Sequence, residues 1–222
     1  MEYSKFAKDF SIISVGHLLL LLRNFLFLPL VTKLVGTEAY GVWTQLSVTI
    51  TFVTTFSLLG LPAAVVRFLA VKKDRRDIQQ GLYSSLAVSA VTSSFVGVMF
   101  LMFANPIGGF LQSGPNLVRL IAGIIILDSC NGVFLNGLRA LQKVGWYSVL
   151  LTAQAFGEIG LGVWFLASNQ GLEGFTLSLI LIRVFMCGIL LFLFLRTVGF
   201  AVPTFSLIPQ YLRFGFPTVI SS

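Results

Sequence analysis

Four ionisable residues stand at positions where an apolar chain pays heavily for them: Arg23, Asp128, Glu158 and Arg183. The stretch LLLLLRNFLFLPLV, residues 18–31, shows the problem, with Arg23 and Asn24 set between leucine-rich runs. A charge at the centre of a bilayer costs at least about 2.5–3.5 kcal/mol. Such groups therefore face the interior of a helix bundle, a water-filled cavity or one another. Arginine has a planar fork that grips carboxylate or phosphate oxygens bidentately, and it stays protonated. Two arrangements satisfy the four charges. In one, the arginines and acids form two buried ion pairs, Arg–Asp and Arg–Glu. In the other, at least one arginine lines a solvated path and meets an anion, while Asp128 and Glu158 set the potential or titrate with a coupling ion.

Other residues offer less chemistry. His17 is the only histidine and stands seven positions before Asn24, on nearly the same helix face, where a polar contact is expected rather than a proton relay. Cys130 and Cys187 lie in apolar runs without CxxC or metal spacing, so neither a disulfide framework nor a metal site is expected. There is no HExxH motif, no GxSxG elbow and no phosphate-binding glycine loop. The expected external loops hold no carboxylate–histidine cluster, which argues against an enzyme working at a membrane interface. No cofactor is expected.

The elements that must position the four charges are membrane helices. The chain is 56% hydrophobic and 10% charged, with 22 Phe. Soluble domains carry about 25% charged residues, so the fold class is all-α, a polytopic membrane bundle. A spanning helix needs roughly 20 apolar residues. Six segments qualify: 10–35, 42–70, 81–104, 117–138, 146–168 and 174–195. Their centres fall near residues 22, 127, 157 and 184 for the first, fourth, fifth and sixth, within about two positions of the four charges. Arg67 lies nearer a helix end, where it can snorkel. Strands are excluded by continuous rather than alternating apolar runs. The breaks read VGTEAYG, KKDRRDIQQG, NPIGGFLQSGPN, RALQKVG and SNQGLEG, all rich in turn formers.

The net charge of +7 follows the positive-inside rule rather than signalling nucleic acid. With a cytoplasmic N-terminus, ten basic residues fall inside (Lys5, Lys8, Lys72, Lys73, Arg75, Arg76, Arg139, Lys143, Arg196, Arg213) and two outside (Lys33, Arg119). The expected location is the cytoplasmic (inner) membrane, multi-pass. The first apolar run is long and lacks an A-x-A site, so it reads as a retained helix rather than a signal peptide. The run KKDRRD either sets topology or meets anionic headgroups. Residues 1–195 form the expected six-helix lobe, 196–213 a cytoplasmic linker, and 214–222 the opening of a seventh helix too short to span, with a C-terminal lobe expected beyond it.

Two further patterns concern packing. Gly81, Ser85, Ser89, Ser93 and Gly97 repeat every four residues, a smooth stripe that lets another helix approach closely. Thr44, Ser47, Thr51, Thr54, Thr55 and Ser57 put hydroxyls along the second helix, either lining water or bonding backbone carbonyls. Pro29, Gly60 and Pro62 are expected hinges, since proline removes a helix hydrogen bond and bends the helix.

The stretch LPLVTKLVGTEAYGVWTQLSVTITFVTTFSLLGLPAAVVRFLA, residues 28–70, resembles the first two helices of the polysaccharide and O-antigen flippases of the multidrug/oligosaccharidyl-lipid/polysaccharide superfamily. The shared elements are a basic residue before LxG, the YGxW turn at Tyr40, Gly41 and Trp43, and LGLPxAxxR with Gly60, Leu61, Pro62 and Arg67. The later YLRFGFP, Tyr211–Pro217, is similar to that family's start of helix seven. The resemblance implies two lobes around a central cavity and translocation of undecaprenyl-diphosphate-linked oligosaccharide by alternating access. It also implies basic cavity residues that hold the diphosphate, for which Arg23 and Arg183 have the right depth. A coupling ion, proton or sodium, is a possible partner. The rivals are a multidrug/cation antiporter of the same superfamily, whose cavity is expected to be net acidic, and a membrane-embedded enzyme of envelope lipid metabolism.

Overall fold

The computed structural model describes residues 2–72 and 74–220; side chains are described from 31 to 219 apart from Lys73, and before that only at 16, 18, 19, 21, 25 and 29. The described backbone is helical apart from short connections. Helix α1 runs Glu2–Ser57, α2 Leu61–Leu69, α3 Arg75–Met102, α4 Ala104–Phe110, α5 Pro115–Ala140, α6 Val144–Ala167, α7 Gly171–Thr197 and α8 Ile208–Ile220.

Four of these, α3, α5, α6 and α7, are each long and apolar enough to cross a membrane. Residues 31–57 with α2 make a fifth span, bent by 51° at the break between them. The expected span 10–35 falls largely where side chains are not described, so the described residues account for up to five of the six expected spans. Their outer surfaces are apolar; Phe52, Phe95, Phe185 and Phe192 are among the exposed rings. A chain with this surface is a multi-pass membrane protein.

The breaks depart from the sequence reading in instructive ways. VGTEAYG is not a loop. Helical backbone runs through it, and only Gly36 leaves helical geometry, at φ 84° and ψ 166°. That left-handed φ suits glycine, which has no Cβ to clash. KKDRRDIQQG is mostly helix, because Asp74 caps α3 by accepting from the Arg76 N–H at 3.1 Å. N-capping of this kind satisfies an orphan backbone donor. In NPIGGFLQSGPN, residues 105–110 belong to the short α4. Pro62 was expected inside a helix, but it lies in the first turn of α2, where its missing N–H has no partner to lose. The break is made by Leu59 and Gly60, both at positive φ. Pro29 stays within the helical run of α1.

The break frees carbonyls, and α3 takes one of them: Thr92 Oγ1 donates to the Ser57 carbonyl at 2.7 Å. The small-residue stripe of α3 is buried from Gly81 to Gly97. Its serines donate to carbonyls of their own helix, Ser85 to Gly81 and Ser89 to Leu86. They thus present little more than a Cβ to α5, and a Cβ on Gly97 would stand 2.9 Å from Ile126 Cδ1. The core falls into two clusters. One joins α2, α3, α5, α7 and α8 around Leu61, Leu82, Leu138, Phe194 and Tyr211. The other joins residues 31–50 to α5 and α7 around Trp43, Leu46, Ile125 and Phe175.

Candidate functional site: a buried charge cluster on a polar cavity

Between the two apolar clusters lie three of the four deep charges. Asp128 comes from α5, Glu158 from α6 and Arg183 from α7. Arg183 Nε donates to Asp128 Oδ1 in a short ion pair. Its Nη1 is 3.4 Å from Glu158 Oε1. The Arg183 side chain is 13% exposed, Asp128 22% and Glu158 7%. One guanidinium fork therefore engages two carboxylates from two different helices. In a low-dielectric interior such a cluster is tolerated only when its geometry satisfies the charges.

Two amides support it. Asn131, three residues after Asp128 on α5, donates from Nδ2 to the Arg183 carbonyl at 3.2 Å. Gln154, four residues before Glu158 on α6, donates from Nε2 to Glu158 Oε1 at 3.1 Å. Both spacings place the amide on the same helix face as its acid. This helical spacing from the acid was the available signal.

The cluster borders a cavity of about 560 Å³. One wall is residues 40–55, which present Tyr40, Thr44, Ser47, Thr51, Thr54 and Thr55. These hydroxyls line the cavity, and Thr44, Ser47, Thr51 and Thr55 also donate to carbonyls of their own helix at 2.8–2.9 Å. Among the described residues Thr54 Oγ1 is buried without a hydrogen-bond partner, as are Asn131 Oδ1 and Arg183 Nη1. Trp43 and Phe175, edge to face at 4.8 Å, close another side. The result is a polar chamber with a fixed charge cluster inside an apolar bundle.

The remaining predicted residues fall elsewhere. Arg23, His17 and Asn24 lie outside the residues whose side chains are described. Gly60 and Pro62 sit at the bend rather than in the cavity. Arg67 is exposed and stacks over the Phe214 ring, 4.3 Å from its centroid. Cys130 and Cys187 are free and half-buried.

The described residues thus form a polytopic helical bundle that holds an arginine–carboxylate cluster on a polar chamber. The chain is a member of the polysaccharide biosynthesis protein family, which it matches over residues 6–222. It is also 27% identical over 157 residues to an uncharacterized membrane protein, MJ1375, of Methanocaldococcus jannaschii; the match covers 70% of this chain and 37% of that protein. No solved structure matches the chain.

Proposed function

We propose that the chain is one lobe of a transporter that moves undecaprenyl-diphosphate-linked oligosaccharide across the cytoplasmic membrane by alternating access, for surface polysaccharide synthesis. The observation that carries this reading is the charge cluster on a polar chamber in a member of the polysaccharide biosynthesis family. Such a chamber can hold a charged headgroup in a layer where lipid cannot. In this role Arg183, with Arg23, attracts the diphosphate. Arg183 is held here by Asp128 and Glu158, so a diphosphate competes with two carboxylates for its fork. In the same reading Asp128 and Glu158 set the potential of the chamber and take part in coupling to an ion, proton or sodium. Residues 1–195 are the lobe, and 196–213, whose last six residues already belong to α8, lead toward a second one, with the N-terminus in the cytoplasm.

The test is export of surface polysaccharide by cells that carry full-length variants. Arg183→Ala and Arg23→Ala are expected to abolish export while the protein still inserts in the membrane. Unchanged export in both would overturn the assignment. Arg183→Lys is expected to retain partial export, because a point charge keeps the attraction and loses the fork.

A further inference from the structure

The segment after α7 is strapped onto the bundle by side chains of α3. Arg75 Nε and Gln79 Nε2 both donate to the Val198 carbonyl, at 2.7 and 2.5 Å. Tyr83 Oη donates to the Gly199 carbonyl at 2.9 Å. Ser84 and Thr204 exchange two bonds: Ser84 Oγ donates to the Thr204 carbonyl at 2.7 Å and accepts from its N–H at 3.0 Å. Residues 75, 79 and 83 repeat every four positions, so one face of α3 holds the strap.

Helix α8 continues from the strap and docks on the bend. Tyr211 is buried, stacks on Phe68 of α2 at 5.1 Å, and sets its hydroxyl in the notch of Gly81, where a Cβ would come within 2.7 Å. Phe214 receives Arg67 and meets Phe68 edge to face at 5.6 Å. Two turns along from Phe68, the backbones touch. A Cβ on Gly60 would lie 2.0 Å from the Gly215 carbonyl oxygen, and a Cβ on Gly215 would lie 2.7 Å from the Gly60 oxygen. Gly60 and Leu59, both at positive φ, make the 51° bend directly after the hydroxyl wall of the chamber.

We infer that α8 is a latch on this hinge: docked as seen here it holds the bend, and its release frees the Leu59–Gly60 joint to change angle and move the chamber wall at Thr51–Thr55. The main-chain passage of Gly60 against Gly215 allows no side chain between them, so the hinge cannot swing toward α8 while the latch is in place. The hydrogen-bonded strap keeps α8 close when it lets go. Deepening the transporter reading on which it rests, the latch is the element that would tie the two lobes' movement to the chamber.

The experiment uses full-length protein in vesicles, with Cys130 and Cys187 replaced by serine. In the first arm F68C and Y211C are bridged by a short, reducible bis-methanethiosulfonate, and movement of a polyisoprenyl-diphosphate-linked sugar is followed. Bridging is expected to cut the rate at least tenfold, with recovery on reduction; a bridged protein that transports at the unbridged rate overturns the latch. In the second arm spin labels replace Arg76 and Arg213, both exposed, leaving the contacts intact. Two distance populations that shift on adding polyisoprenyl diphosphate support release, and one unchanging population overturns it. If the labels exchange between two distances while wild-type protein moves no lipid-linked sugar, the latch stands and the transporter reading fails.

Discussion

Arg183 is the residue on which the chamber depends, because two acids on separate helices converge on it. Removing one partner of a buried ion pair leaves an uncompensated charge and costs roughly 3–5 kcal/mol. Arg183→Ala in purified protein is therefore expected to lower the thermal midpoint clearly, and Asp128→Asn to do so less, since the amide still accepts a hydrogen bond. Residues in direct contact are not additive. The double variant Asp128→Asn with Arg183→Gln is expected to be less destabilised than the sum of the two singles; simple addition would mean that the pair contributes nothing to stability. This level of the site was partly legible in the sequence. Counting from helix ends put Asp128, Glu158 and Arg183 at one depth, and depth is fixed by length along each helix. Which nitrogen meets which acid depends on how the helices rotate about their axes, and no linear count supplies that. The spacing of Asn131 and Gln154 from the acids marks their helix face, but which group each amide meets depends on the same rotation.

At the scale of elements, the four-residue stripe of α3 was readable because small residues matter only where a partner comes close, and such a stripe has one physical use. Gly97→Leu is expected to destabilise the bundle by about 1–3 kcal/mol through overpacking against Ile126. Val98→Leu, one position on and exposed, is expected to change nothing measurable in the same unfolding assay. The bend falls at Gly60, one of the expected hinges, but it is Gly60 with Leu59 rather than Pro62 that makes it. Pro62 suggested a kink inside a continuous helix, whereas positive φ at Leu59 and Gly60 ends one helix before Pro62 opens the next. Backbone sign cannot be read from a proline downstream. Gly60→Ala is expected to be poorly tolerated on two counts, its left-handed φ and the Gly215 carbonyl in the space of the new methyl. The charged run at 72–77 misled in the other direction: hydropathy ends a span where lipid ends, but a capped helix continues into water.

For the whole molecule, apolar length and charge bias determine the class directly, since only helices and closed barrels satisfy their backbone in lipid. Single cysteines at Gln142 and Asn116 test the handedness that the ten-to-two bias implies. In intact cells an impermeant maleimide is expected to label position 116 and to leave 142 untouched until the membrane is opened; the reverse pattern would invert the topology. The docking of α8 against α2 and α3 was not legible at all. The strap before it rests on side-chain-to-carbonyl bonds, and the docking itself on ring and backbone contacts, between segments more than a hundred residues apart, to which local pattern is blind.

The most direct test of the central claim is translocation itself. Full-length protein is reconstituted in vesicles that hold a fluorescent polyisoprenyl-diphosphate-linked sugar in both leaflets, and an impermeant quencher reports how fast the inner pool reaches the outside. Wild-type protein is expected to make the whole pool accessible, with Arg183→Ala reduced to the protein-free rate. Wild-type vesicles that quench no faster than empty ones, or an Arg183→Ala protein that matches wild type, would contradict a transporter built around this charge cluster.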